Sequence, residues 1–112
     1  MSEELAAKEC VPCRGGVPPL DREETAEFLA KVDDWALRGE HKIHKRFDFP
    51  NFAEAWAFVA RVAHLSEEQG HHPDIAFGWG YAEFTIWTHA IDGLTESDFI
   101  LAAKIDQLRE TE

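Results

Sequence analysis

The segment between Pro50 and Gly70 constrains the fold more than any other part of the chain. Asn51 followed by Glu54 is a typical helix start, and glycine at residue 70 is a typical helix end. Between these limits apolar or small side chains recur at spacings of three and four, at Phe52, Ala55, Trp56, Val59, Val62, Ala63 and Ser66. The spacing predicts one amphipathic helix of about five turns.

Alternating apolar residues on both sides of this helix predict strands. Residues 75–79 and 82–89 alternate around a glycine-containing turn, which predicts a hairpin with its second strand ending near His89. Before the long helix, Lys45 interrupts an otherwise apolar strand face. The predicted elements are helices at 21–31, 51–70 and 95–109 and strands at 35–40, 43–49, 75–79 and 82–89. The order α-β-β-α-β-β-α indicates an α+β fold, a four-stranded antiparallel sheet with three helices packed on one face.

Length and composition suit a single globular domain. The chain has 112 residues, of which 45% are hydrophobic, which is enough for one core and not for two. Residues 1–20 are rich in proline and glycine and are expected to form a flexible tail, with the domain at 21–112. No apolar run approaches a membrane span, and the acidic first residues lack a secretory signal. We therefore expect a cytoplasmic protein without a membrane partner.

The charge balance argues against binding to nucleic acid. Acidic residues number 22 against 11 basic residues, and the formal net charge is −11. Binding to phosphates depends on clustered Lys and Arg. The one basic cluster, HKIHKR at 41–46, alternates as a strand would, so its polar side chains are expected to face solvent.

Two cysteines form a C-x-x-C motif at Cys10 and Cys13. A redox motif of this type needs a helix N-terminus to lower the thiol pKa, whereas prolines and glycines follow here. A zinc site needs four ligands, and the sequence has no second C-x-x-C. Two interpretations remain: two thiols in a flexible tail, or a metal site completed by another subunit or by a distant histidine.

Residues 67–75 read EEQGHHPDI and place a histidine pair in the turn after the long helix. Pro73 disfavours helix at His72 and favours an extended conformation there. Adjacent residues of an extended chain point to opposite sides, so His71 and His72 are poorly placed to bind one metal ion. Imidazoles titrate near neutral pH and suit proton transfer. His89 would join the pair if the hairpin lies beside this turn.

The spacing of these residues resembles the pterin-4a-carbinolamine dehydratase family. Glu67 is followed after three residues by His71-His72-Pro73, after five more by Trp79, after nine by His89 and after eight by Asp98. The similarity extends over 21–109, because the predicted α-β-β-α-β-β-α order is also that of the family.

The resemblance implies a dehydratase that acts on 4a-hydroxytetrahydropterin, the product left by an aromatic amino-acid hydroxylase. The reaction eliminates water to give the quinonoid dihydropterin and needs no metal or other cofactor. The resemblance aligns His71 and His89 with the acid–base histidines of the family, without showing which is the acid. It aligns the substrate-binding residues with His72, Glu67, Pro73, Trp79, Asp98 and Trp35.

Several of these residues also have structural interpretations. Asp98 is the third residue of a helix that Thr95 opens, so its main role could be capping. Trp79 and Trp35 could be core residues. Glu67 lies in a last helical turn, where a carboxylate is unfavourable, and this favours a second role such as orienting an imidazole.

Two classes of function stay open at this point. Animal members of the family act as dimerisation cofactors of a homeodomain transcription factor, and some bacterial relatives resemble assembly factors. Such relatives often lack one or more site histidines, whereas His71, His72 and His89 are all present here, which favours the enzyme. Family members are commonly dimers or tetramers, so a homo-oligomer is expected.

Overall fold

The sheet and three helices follow the order that the sequence predicts, and a short additional helix precedes them. The structure is a computed structural model and describes residues 3–11 and 18–111. Its elements are α1 (Glu3–Ala7), α2 (Arg22–Leu29), β1 (Ala36–Arg38), β2 (Lys42–Asp48), α3 (Phe52–Gln69), β3 (Asp74–Gly78), β4 (Tyr81–Ile86) and α4 (Glu96–Glu110). A 3₁₀ turn at His89–Ile91 connects β4 to α4. The α+β class and the four-stranded antiparallel sheet are confirmed.

The sheet has the strand order β1-β2-β4-β3, and one of its faces forms the core. Ile43 of β2 is paired with Ile86 of β4, and both side chains are fully buried. Phe58 of α3 packs on the same face, with its ring centroid 5.8 Å from that of Phe84. Successive residues of a strand point to opposite faces, so this register leaves the other face of the sheet to polar side chains.

The buried face of α3 differs from the predicted one at two aromatic positions. Phe52 and Trp56 are 49% and 55% exposed, while Phe58 is fully buried. Both exposed rings instead contact Phe77 of β3, with centroids 5.4 and 5.9 Å from its ring. Because β3 is an edge strand, this aromatic cluster lies at the border of the sheet, where the described chain does not cover it.

The N-terminal segment differs from the flexible tail that the sequence predicted. Residues Glu3–Ala7 form α1, and Leu5 and Ala6 are only 3% and 6% exposed. The helix packs on α4, where Lys104 donates a hydrogen bond to the carbonyl oxygen of Ala6 at 2.8 Å. The expectation of a tail is therefore wrong for residues 3–11. Cys13 lies outside the described residues, and the domain boundary at residue 21 stays a prediction.

Lys45, the exception on the apolar face of β2, has a buried partner. Its Nζ lies 2.8 Å from Oδ1 of Asp106 on α4, and the Asp106 side chain is only 2% exposed. Burial raises the pKa of the Asp106 carboxyl, and the hydrogen bond and charge of Lys45 oppose that shift. The indole N–H of Trp35 donates to the same carboxylate at 3.2 Å. An ion pair therefore replaces apolar packing at this position.

None of the helices within residues 3–11 and 18–111 has the length and apolar character that crossing a membrane requires.

Candidate active site

The turn that carries the histidine pair is fixed by the end of α3. Gly70 adopts the left-handed conformation with φ 63°, which costs glycine little because it has no Cβ. The N–H of His71 donates to the carbonyl oxygen of Ser66 at 3.2 Å, and the N–H of Gly70 donates to that of Glu67 at 3.3 Å. These bonds form a Schellman-type helix end, which fixes the backbone of His71 relative to α3.

His71 is held by a buried carboxylate on another helix. Its Nε2 lies 2.6 Å from Oδ1 of Asp98, and the two side chains are 13% and 0% exposed. Oδ2 of Asp98 accepts hydrogen bonds from the hydroxyl of Thr88 and the backbone N–H of Thr95, each at 2.8 Å. A carboxylate accepts, so the neutral ring of His71 must carry its proton on Nε2, which leaves the lone pair on Nδ1.

Asp98 therefore combines the two roles that the sequence left as alternatives. Oδ2 satisfies a backbone N–H at the start of α4, and Oδ1 binds the imidazole. The position at a helix N-terminus also favours a negative charge. With three donors around it, the fully buried carboxylate is compensated.

His89 was predicted at the end of a strand, and the structure corrects this position. Strand β4 ends at Ile86, and His89 begins the 3₁₀ turn. The loop is closed by Thr88, whose N–H donates to the carbonyl oxygen of Gly93 at 2.8 Å. Strand pairing stops here because the chain turns back on itself at this bridge. The ring of His89 packs on Trp87, with centroids 4.3 Å apart.

The histidine pair and the loop that carries His89 line one cavity. Its volume is about 240 Å³, and it opens to solvent. The lining residues are Gly70, His71, His72, Trp87, Thr88, His89 and Ala90. Ligand pockets for drug-sized molecules typically measure roughly 300–1,000 Å³, so this cavity suits one compact ring system. The three histidines that the sequence singled out are thus brought together.

His72 and Glu67 form a pair of their own at the mouth of the cavity. Nε2 of His72 lies 2.5 Å from Oε2 of Glu67, and their side chains are 56% and 77% exposed. The expected orienting role of Glu67 therefore concerns His72, while Asp98 orients His71. Pro73 follows the pair and lines a separate, shallow cavity on the open face of the sheet.

The two predicted tryptophans lie elsewhere. Trp79 lies at the tip of the β3–β4 hairpin and is 73% exposed. Trp35 is 6% exposed and bonded to Asp106, so it is a core residue. Neither residue lines the cavity, so neither is assigned a contact with a ligand.

Thr88 is a site residue that the sequence analysis missed, as is Trp87, which also lines the cavity. The Thr88 side chain is 3% exposed, and its hydroxyl donates to Asp98. Because a hydroxyl has one proton, the hydroxyl of Thr95 must be the donor in the 3.0 Å contact between the two threonines. A polar residue between Trp87 and His89 was the available signal.

Two imidazoles at one small cavity, one of them held in a single tautomer, can accept and donate protons on the same ligand. Across the described ranges, no three His, Cys, Asp or Glu side chains are grouped so that they could hold a metal ion.

Comparisons with known proteins agree on one family. The sequence model of the family described as pterin 4 alpha carbinolamine dehydratase matches residues 18–108. A protein of Rubrobacter xylanophilus, provisionally named a pterin-4-alpha-carbinolamine dehydratase, is 59% identical over 105 residues, which cover 94% of this chain and 98% of the relative. A protein of Halorhodospira halophila with the same provisional name is 51% identical and covers 93% of this chain and 96% of its own length.

Two solved structures are also similar. One is described as a transcriptional coactivator/pterin dehydratase from Brucella melitensis, with a TM-score of 0.76, 30% identity and coverage of 81% of this chain and 98% of that chain. The other is described as a pterin dehydratase-like protein that is a RuBisCO assembly factor in the alpha-carboxysome. Its TM-score is 0.60 and its identity 36%, and the match covers 68% of this chain and 89% of that chain.

Proposed function

The chain belongs to the pterin 4 alpha carbinolamine dehydratase family, and we propose that it eliminates water from a 4a-hydroxytetrahydropterin to give the quinonoid dihydropterin. The observation that carries this proposal is the pairing of His71 with buried Asp98 at a cavity shared with His89. An elimination of this kind needs a base and an acid at one ring, and two imidazoles meet that need.

The proposed reaction removes a proton from N5 of the pterin and adds a proton to the hydroxyl group on the neighbouring carbon, C4a. The lone pair on Nδ1 of His71 takes the proton from N5 of the pterin, and the electrons of that bond form the C4a=N5 double bond. The C4a–O bond breaks, and His89 gives a proton to the departing hydroxyl, which leaves as water. Asp98 supports the base by holding His71 in the Nε2–H tautomer, as a buried carboxylate does in catalytic triads.

The size of the cavity bears on the substrate. At about 240 Å³ it accommodates a fused ring, and any substituent on that ring extends into solvent. His72, exposed at the mouth and paired with Glu67, is proposed to hold the substrate. In this role the enzyme works in the cytoplasm, on the pterin product of an aromatic amino-acid hydroxylase, in tetrahydropterin recycling.

The test is turnover of 4a-hydroxytetrahydropterin by the wild-type protein and by the double variant His71→Ala/His89→Ala. We expect the double variant to approach the uncatalysed rate, because both proton-transfer groups are lost. The matched control is His41→Ala/His64→Ala, which removes two exposed histidines that do not line the cavity. Wild-type turnover in His71→Ala/His89→Ala would overturn the proposal.

We further propose that copies of this chain associate through the aromatic cluster of Phe52, Trp56 and Phe77. The cluster borders β3, an edge strand whose free backbone groups can pair with another strand. Trp56→Glu should lower the subunit number measured by light scattering, since it places a charge in the contact. Leu37→Glu, an exposed leucine on β1 at the opposite edge, is the control that should leave the number unchanged.

A second candidate function is binding or assembly without catalysis. The same aromatic cluster favours it, because exposed aromatic side chains are common at protein contacts. Absence of turnover in folded wild-type protein, with the His71–Asp98 pair intact, would favour this candidate over the dehydratase.

A further inference from the structure

The segment Glu9–Val11, called the strap below, connects the ends of two helices. On one side it binds Gln69 in the last turn of α3, whose Oε1 accepts from the N–H of Cys10 at 2.9 Å and whose Nε2 donates to Glu9 at 2.7 Å. On the other side it binds Ser97 in the first turn of α4, whose Oγ accepts from the N–H of Val11 at 2.9 Å. The strap thus connects two elements that are far apart in sequence.

The two residues that the strap binds stand directly beside the proposed active site. Gln69 is followed by Gly70 and His71, and Ser97 is followed by Asp98. The 2.6 Å contact between His71 and Asp98 spans the same two helix ends that the strap joins. A change in the distance between these helix ends would therefore change the hydrogen bonds of the strap and the contact between His71 and Asp98 together.

The strap is anchored by the residues that precede it and by a contact of its own. Preceding it, α1 buries Leu5 and Ala6, and Lys8 forms an ion pair with Glu96 at 2.6 Å. Within it, the thiol of Cys10 donates to the carbonyl oxygen of Ser97 at 3.5 Å. Burial raises the pKa of Cys10 to about 11, so the thiol keeps its proton at neutral pH and can act as this donor.

We infer that the strap, through Gln69 and Ser97, positions His71 against Asp98 for proton transfer. This inference rests on the proposed function and assigns Gln69 and Ser97 as positioning residues, since neither lines the cavity. Catalytic geometry tolerates little displacement, so a group that fixes the separation of two helix ends can control rate without touching substrate. The inference also gives Cys10, which the proposed reaction does not use, a structural role as a donor.

The kinetic test uses Gln69→Ala, Ser97→Ala and the control Gln107→Ala, which changes an exposed glutamine on α4. We expect the two strap variants to lower kcat by about tenfold with KM nearly unchanged, less than the roughly hundredfold that a displacement of about 1 Å can cost. In an Asp98→Asn background the same substitutions should lower kcat no further, because the contact that they position is already lost. If the losses in kcat were instead fully additive with that of Asp98→Asn, the substitutions would have a general structural effect, and the inference would be overturned.

A second measurement does not depend on turnover. The ¹⁵N NMR signals of the His71 ring in the substrate-free protein should show one Nε2–H tautomer in the wild type and in Gln107→Ala. A mixture of tautomers is expected in Gln69→Ala and Ser97→Ala. A single tautomer in all four proteins, or strap variants with wild-type kcat, would overturn the strap inference while leaving the dehydratase proposal in place. If the wild-type protein had no turnover but the two strap variants still showed mixed tautomers, the dehydratase proposal would be overturned and the positioning role of the strap would stand.

Discussion

The His71 ring and the Asp98 carboxylate are joined at 2.6 Å, although they belong to the end of one helix and the start of another. Asp98 is fully buried and also accepts the backbone N–H of Thr95 at the start of α4. The same side chain thus contributes to the stability of the helix start and to the orientation of an imidazole. A substitution at this position is expected to change both the stability of the protein and the orientation of the imidazole. A control substitution at a second buried aspartate separates these two effects.

Asp98→Asn should lower kcat by roughly ten- to a thousandfold, within the range by which acid–base groups contribute. The amide can still cap α4 with its oxygen, but it cannot accept from His71, Thr88 and Thr95 as a carboxylate does. Asp106→Asn is the matched control, because Asp106 is buried on the same helix and its bonds go to Lys45 and Trp35. The control should lower the free energy of unfolding without lowering kcat. Equal kcat values for Asp98→Asn and the wild type would show that the pair has only a structural role.

His72→Ala should raise KM by about two- to tenfold with kcat nearly unchanged, a loss that corresponds to one net hydrogen bond of roughly 0.5–1.5 kcal/mol. Its partner Glu67 is 77% exposed, so the free energy of unfolding should change little. His64→Ala, which breaks a comparable exposed pair with Glu68, is the control and should leave both constants unchanged. A fall in kcat without a rise in KM would assign His72 to proton transfer instead.

The elements of this fold were predictable where local chemistry determines them. Asn51 and Gly70 bound α3 within one residue, because a cap and a left-handed glycine depend only on neighbouring residues. Helix α1 was not predictable in this way. A five-residue helix is too short to be stable alone, and it forms because Leu5 is buried against α4, far along the chain.

The candidate site divides in the same manner. The turn at His71 followed from Gly70 and Pro73, but the match between Asp98 and His71 depends on how α4 packs, which no local pattern encodes. Trp79 was predicted from the resemblance to the family pattern, yet β3 separates the hairpin tip from the histidine turn by roughly 13 Å. Alternation shows which face of a strand a residue occupies and not which end of the sheet a ligand approaches.

The Cys13→Ser variant, which leaves Cys10 as the one thiol, tests the pKa of Cys10. With its pKa raised from 9.0 to about 11, Cys10 should have about a hundredfold less thiolate at pH 8 than an ordinary cysteine. A more basic thiolate is a better nucleophile, and this compensates for about a factor of ten of the hundredfold loss of thiolate. Alkylation by iodoacetamide should therefore be about tenfold slower than in the same variant unfolded in urea. The rate should keep rising with pH until about pH 11. A plateau near pH 9 would show that the thiol is not buried as described.

Lys45→Met should lower the free energy of unfolding by about 3–5 kcal/mol, the cost of leaving one member of a buried ion pair without its partner. Methionine fills much of the volume of lysine, so lost packing is a small part of the change. The Asp106 carboxylate would keep only the indole N–H of Trp35 and the backbone N–H of Asp33 as donors. Urea unfolding of the variant measures this, with Arg46→Met as the matched control, since Arg46 pairs with Asp48 on the exposed face of β2. The control should change the free energy of unfolding by no more than about 1 kcal/mol. Equal stability of Lys45→Met and the wild type would show that the Lys45–Asp106 pair contributes no net stability to the fold.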